Sequence, residues 1–165
     1  SEAAAARRAD GVLALGHASG AAGMCGGQAL DIDATGQQQT LEQLQRMHAL
    51  KTGALIRASV RMGALGGGAD ADTLARLDRF ADALGLAFQI RDDILDVEAS
   101  SEQLGKTAGK DAAQAKSTYP ALLGMEGART RLEALAQDMR TLLQPFGEAA
   151  AALAALGELT VRRSH

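Results

Sequence analysis

An acidic pentad, residues 92–96 with the sequence DDILD, lies inside a long apolar helical pattern. Apolar residues occur on nearly every face of this segment, at Leu84, Leu86, Ala87, Phe88, Ile90, Ile94, Leu95 and Val97. A helix that is apolar nearly all round is expected to be buried among other helices. Buried carboxylates are costly unless they are paired or bound to a metal. The segment therefore predicts a packed helical protein with a functional site at the pentad.

The spacing of the carboxylates indicates which kind of site this is. On a helix, Asp92 and Asp96 lie one turn apart on the same face, with Gln89 and Asp93 beside them. Carboxylates on one stripe repel each other unless a cation lies between them. An all-oxygen site suits Mg²⁺, which keeps several waters and shares its other positions with substrate phosphates. The pattern predicts a Mg²⁺–diphosphate site, and the plain alternative is a solvated acidic face.

Composition favours an all-α fold. The 165 residues are rich in Ala, Leu and Gly, and only 2% are aromatic, which favours helices packed through small residues over a sheet. The length suits one domain, and we find no internal boundary. A net charge of −3 argues against a nucleic-acid partner. Cys25 is the only cysteine and no run approaches a membrane span, so we expect a cytoplasmic protein.

Apolar periodicity and helix-end signals predict six helical stretches. They cover about residues 3–22, 26–34, 40–66, 72 through the pentad, 117–144 and 148–162, with a polar loop at 99–116. A capping box at Thr40–Gln43 begins the third stretch. Glycines in segment 20–27 are expected where another backbone comes close, and Gly124 or Gly127 is expected to bend or break the fifth stretch.

Two further polar positions lie in predicted helices near the pentad. Lys51-Thr52 stands before Gly53, and a kink there would free backbone carbonyls to face a cavity. Such carbonyls would stabilise a carbocation while the lysine ammonium holds a phosphate. Gln89 is a neutral dipole able to face the same cation. The alternatives are a lysine that only reaches solvent and a buried amide satisfied by its neighbours.

Several lysines follow the pentad within the predicted loop. Lys106 and Lys116 are interpreted as charge-assisted contacts to a diphosphate, and Lys110 as a solvated side chain. His17 and His48 lack the spacing of metal ligands, so we interpret them as packing or surface residues.

Taken together, five segments resemble the C-terminal half of bacterial short-chain trans-prenyl diphosphate synthases of the farnesyl diphosphate synthase type. The segments are GMCGGQALD (23–31), HALKTGALIR (48–57), GLAFQ with DDILD (85–89 and 92–96), LGK (104–106) and KSTYPALLG (116–124). The resemblance implies an isoprenoid-synthase-type helical bundle around a deep cavity, Mg²⁺ as cofactor and a homodimer. We therefore expect residues 1–165 to be the C-terminal portion of a single prenyl diphosphate synthase domain.

The resemblance also implies residue roles. Metal binding falls to Asp92, Asp93 and Asp96; diphosphate binding to Lys51, Lys106 and Lys116; contact with the allylic chain to Thr52 and Gln89; and the cavity-lining helix to Gln28 and Asp31. Lys51, Thr52, Gln89 and Lys106 are the implied catalytic residues. Arg162 and Arg163 resemble a basic tail that closes over the site.

The implied reaction joins an allylic diphosphate, dimethylallyl or geranyl, to isopentenyl diphosphate by ionisation, condensation and elimination. The product would be geranyl or farnesyl diphosphate. Full family members carry a first aspartate-rich motif that has no counterpart in these 165 residues. We therefore expect a fragment that is inactive alone. Two alternatives stay open, a non-catalytic helical partner subunit of a prenyl synthase and a fragment of a class I terpene cyclase.

Overall fold

The computed structural model describes residues 2–104 and 117–164, which are helical apart from short connections and contain no strand. The helices are α1 (Glu2–Ser19), α2 (Met24–Asp33), α3 (Leu41–His48), α4 (Ala54–Gly66), α5 (Ala71–Leu104), α6 (Tyr119–Leu143) and α7 (Ala151–Arg162). A π-helical turn, Ala49–Gly53, joins α3 to α4, and a 3₁₀ segment, Gln144–Ala150, joins α6 to α7. The prediction of an all-α fold is confirmed.

The core lies mainly between α5 and α6, with α4 and α7 packed against α5 as well. Its α5 side is one stripe of buried residues at helical spacing: Phe80, Leu84, Ala87, Ile90 and Ile94. Its α6 side is a matching stripe: Leu132, Leu135, Met139, Leu142 and Leu143. Within residues 2–104 and 117–164, no helix has the length and hydropathy that a membrane span needs.

Burial of α5 follows the expectation in part. Leu84, Ala87, Ile90 and Ile94 are buried as expected, but Leu86, Phe88 and Val97 are only partly buried. The reason is that the neighbouring helices cover one face, whereas the face with Gln89 and Asp92 borders an open cleft. The expected burial is therefore confirmed for the packed face of α5 and does not extend to the face at the cleft.

The predicted helix boundaries were partly right. The capping box is confirmed, because the Thr40 N–H donates to Gln43 Oε1 at 2.8 Å and the Gln43 N–H donates to Thr40 Oγ1 at 3.2 Å. Gly124 breaks α6 with φ +73°, as its position suggested. The loop start was wrong, because α5 continues to Leu104. Residues 99–104 contain good helix formers and no glycine or proline, so nothing ends the helix earlier.

Glycines let two helices approach the π-helical turn. A Cβ on Gly27 of α2 would lie 2.2 Å from the Lys51 backbone nitrogen, and one on Gly85 of α5 would lie 3.1 Å from the Gly53 Cα. Any larger residue at position 27 would push α2 away from the turn. The expected close backbone approach in segment 20–27 is thus confirmed at Gly27.

Replacing Gly27 by alanine should destabilise the protein by about 2 kcal/mol or more, because the added methyl group meets backbone atoms that cannot rotate away. Gly63→Ala is the matched control, since a Cβ at this position of α4 meets nothing within 4 Å. The control should be stabilised by about 0.5–1 kcal/mol through helix propensity. Urea unfolding measures both changes, and equal stability of Gly27→Ala and the natural protein would contradict the packing described.

Candidate functional site

The π-helical turn, Ala49–Gly53, places Lys51 at the site. It lies where the sequence predicts a kink beside Gly53, and π turns inside α-helices frequently mark functional sites. The Lys51 ammonium donates a hydrogen bond to Asp31 Oδ2 on α2 at 2.7 Å. Both side chains are half-buried, so the ion pair fixes the ammonium while leaving part of it open to solvent.

A cleft of about 230 Å³ opens between α2, the π-helical turn, α5 and the residues just before α6. Its polar lining is Asp31, Thr35, Gln39, His48, Lys51, Gln89, Asp92, Asp93, Asp96, Ser117 and Thr118. Among the described residues the lining thus holds four carboxylates and one ammonium, an imbalance that favours a bound cation. Larger grooves of about 510 and 580 Å³ run along α1, but arginine and apolar side chains dominate their walls.

The cleft brings together five of the predicted site residues. They come from two separated segments of the chain: Lys51 from the π-helical turn, and Gln89, Asp92, Asp93 and Asp96 from α5. Asp31, expected on a cavity-lining helix, joins them from α2. Helical spacing accounts for the α5 set, because residues three or four apart share a face.

The remaining predicted residues are placed differently. Gln28 is exposed on α2 and is not among the residues that line the cleft. Thr52 is half-buried next to Lys51 but does not line the cleft either. Lys106 and Lys116 lie outside the described residues. Their predicted roles in binding therefore stay predictions.

Asp93 is held against the start of α6. The Tyr119 backbone N–H donates to Asp93 Oδ2 at 2.8 Å. Burial raises the pKa of this carboxyl to about 6, the N–H bond opposes the rise, and the charges of Asp96 and Asp92 add to it. The carboxylates therefore repel one another, and a cation in the cleft would relieve that repulsion.

Asp92 forms an ion pair with Arg163, the residue that follows α7. Of the two arginines expected to form a basic tail, only this one reaches the site. Arg162 instead pairs with Glu158, one turn earlier on α7, with its Nε 3.1 Å from Glu158 Oε2. Arg162 is the last residue of α7, whereas the chain leaves the helix at Arg163, and the two side chains therefore reach different partners.

The donor set suits an open Mg²⁺ site better than a closed one. Within residues 2–104 and 117–164, no group of three or more His, Cys, Asp or Glu side chains is placed to hold a metal ion. Mg²⁺, however, is usually held by one or two carboxylates, with waters and substrate phosphates completing its octahedron. Asp92 and Asp96 both line the cleft and offer oxygen ligands of that kind.

His48 is a cleft residue that the sequence interpretation missed. It is 9% exposed, and its ring lies 5.8 Å from that of Tyr119. Burial lowers its pKa to about 4, with Asp31 opposing and Lys51 assisting, so the imidazole is neutral at neutral pH. The available signal was its position three residues before Lys51, which places both side chains on one helix face.

The low pKa of His48 predicts a pH-dependent stability. Above pH 6.5 the imidazole is neutral in both states, whereas between pH 6.5 and about 4 only the unfolded state takes up the proton. Relative to His48→Gln, the natural protein should therefore lose on the order of 2 kcal/mol of unfolding free energy as the pH falls through this window.

Comparing the two proteins removes the effect of Asp93, which acts in the opposite direction. Its raised pKa stabilises the folded state as the pH falls from about 6 towards 3.8, equally in both variants. Urea unfolding at several pH values measures the difference. Parallel stability curves for the natural protein and His48→Gln would show that His48 is not buried in its neutral form.

Known proteins match both the sequence and the fold. The polyprenyl synthetase family matches residues 12–153. Farnesyl diphosphate synthase of Escherichia coli (strain K12) is 50% identical over 154 residues, which cover 91% of this chain and 52% of that protein. Farnesyl diphosphate synthase of Geobacillus stearothermophilus is 46% identical over 151 residues, 92% of this chain and 51% of the relative.

Solved structures agree with these relatives. An FPP/GFPP synthase from Zymomonas mobilis in its apo form superposes with a TM-score of 0.81 at 36% identity, covering 94% of this chain and 51% of that one. The geranyltransferase from Legionella pneumophila has a TM-score of 0.80 at 30% identity, covering 97% and 51%. The chain spans about half the length of these relatives. Its helices have the isoprenoid-synthase arrangement, and the chain belongs to the polyprenyl synthetase family.

Proposed function

We propose that this chain supplies the allylic-diphosphate side of a prenyltransferase active site. The complete enzyme would join dimethylallyl or geranyl diphosphate to isopentenyl diphosphate, giving geranyl or farnesyl diphosphate. The observation that carries the proposal is the single cleft shared by Lys51, Gln89 and the three pentad carboxylates. Residues 1–165 would then form the C-terminal portion of one prenyl diphosphate synthase domain.

Binding of the diphosphate rests on charge. The pentad carboxylates would hold Mg²⁺, with oxygens of Asp92 and Asp96 as its ligands and Asp93 adding negative charge beside them. When bound, the ion would neutralise charge on the leaving diphosphate. The Lys51 ammonium, oriented by Asp31 at 2.7 Å, would hold phosphate oxygens from the opposite wall of the cleft. Lys106 and Lys116 would add further positive charge to the same group.

Ionisation breaks the allylic C–O bond, so negative charge grows on the diphosphate while the carbon chain becomes a cation. Because Lys51 is fixed before the reaction, it stabilises the charge that develops in the transition state more than the ground state. Gln89 offers an amide dipole without a nucleophilic charge, and neutral His48 adds no positive charge beside the cation. Condensation and loss of a proton would follow.

Partners and location follow from the same proposal. Val12 and Leu13 on α1 are 71% and 69% exposed, which suits coverage by the rest of a longer enzyme or by the second subunit of a homodimer. Cys25 is a free exposed thiol, which fits a reducing, cytoplasmic compartment.

Because the chain spans half the length of its relatives, we expect no prenyl transfer from it alone.

Asp96→Asn and Asp92→Asn should each weaken Mg²⁺-dependent binding of inorganic pyrophosphate by at least about tenfold, because each removes a charged oxygen ligand. Asp82→Asn is the matched control, an exposed carboxylate on α5 away from the cleft. Isothermal titration with Mg²⁺ and with EDTA measures the effect. Equal Mg²⁺-dependent binding by the cleft variants and the control would refute the metal assignment.

Lys51→Met should separate diphosphate binding from metal binding. Loss of the ammonium should weaken pyrophosphate binding by about tenfold, while affinity for Mn²⁺ alone stays equal or rises because a nearby positive charge is gone. Arg46→Gln removes a positive charge from α3 outside the cleft and serves as control. A pyrophosphate affinity that is unchanged in Lys51→Met would contradict the assigned role.

A further inference from the structure

Arg163, the residue after α7, makes several contacts with the helix that carries the pentad. Its guanidinium forms the ion pair with Asp92, and Nη2 also donates to the Phe88 carbonyl at 3.3 Å. The guanidinium carbon lies 4.3 Å from the centre of the Phe88 ring, within cation–π distance. The side chain is 21% exposed.

The backbone of Arg163 also forms a hydrogen bond with α5. The Arg91 Nε–H of α5 donates to the Arg163 carbonyl at 2.8 Å. Arg163 has ψ 145°, so the chain leaves the helix here after a last N–H bond to the Leu159 carbonyl. The residue thus fastens the end of α7 to the face of α5 that carries the carboxylates.

This fastening is incomplete. The Arg163 Nε is buried and has no hydrogen-bond partner. An unpaired buried donor offsets part of what the ion pair contributes. The Asp92 side chain is 42% exposed, so solvent also screens the pair. A ligand that binds Asp92 more strongly can therefore replace the guanidinium at low cost.

We propose that Arg163 is the resting counterion of Asp92 and competes with the divalent cation for that carboxylate. This inference rests on the metal role proposed above for Asp92. Coupling between two ligands of one site is reciprocal. A cation that takes Asp92 therefore loosens the end of α7, and the fastened tail in turn weakens cation binding.

The test compares Mn²⁺ affinity, measured by electron paramagnetic resonance of free Mn²⁺, in the natural chain and in Arg163→Gln. Removing the competitor should tighten Mn²⁺ binding by about three- to tenfold. Arg162→Gln is the matched control, since it removes the same charge one residue away from a side chain that is 76% exposed and pairs with Glu158. Its Mn²⁺ affinity should equal that of the natural chain.

Arg163→Ala provides a second uncharged variant and should show the same tightening, which excludes an effect of the new amide. Equal or weaker Mn²⁺ binding in the Arg163 variants would overturn the competition, as would equal tightening in Arg162→Gln. Failure of the natural chain and of every variant to bind Mn²⁺ would overturn the proposed metal site together with this inference. Binding without tightening would overturn only the inference.

Discussion

Mutual repulsion among the carboxylates of the cleft is the constraint on which the site depends. Asp92, Asp93 and Asp96 lie on one face of α5, and Asp31 faces them from α2. The fold holds them together by giving most of them a partner: Arg163 for Asp92, the Tyr119 N–H for Asp93, and Lys51 for Asp31. The raised pKa of Asp93 reports the burial and repulsion that these contacts leave in place.

Packing of the backbone determines the position of the Lys51 ammonium in the cleft. Gly27 lets α2 approach the π-helical turn, Ala49–Gly53, far more closely than a side chain at that position would allow, and Gly85 allows α5 a slightly tighter contact with the same turn. The approach of α2 brings Asp31 within 2.7 Å of Lys51. A change at Gly27 would therefore act on the site through the backbone as well as on stability.

Sequence reasoning predicted the parts of the site that depend on local spacing. Helical periodicity placed Gln89, Asp92, Asp93 and Asp96 on one face, and the glycine next to Thr52 indicated the irregular turn. Contacts between distant segments were harder to predict. No local pattern distinguishes Arg163, which reaches Asp92, from Arg162, which pairs within its own helix.

The position of His48 also depends on contacts between distant segments. Its interpretation as a packing residue was half right, since it is buried, but its place in the cleft depends on how α3 meets α5 and Tyr119. The polar composition of residues 99–104 predicts a loop, whereas α5 continues to Leu104 because these residues have sufficient helix propensity. Local composition alone did not settle either feature.

The most direct measurement is a crystal structure of the chain soaked with Mn²⁺ and inorganic pyrophosphate, with the metal located by anomalous scattering. The metal peak should lie about 2.0–2.3 Å from carboxylate oxygens of Asp92 or Asp96, with pyrophosphate between the metal and the Lys51 ammonium. A metal peak away from α5, or carboxylates that point out of the cleft when both ligands are bound elsewhere, would contradict the proposed site.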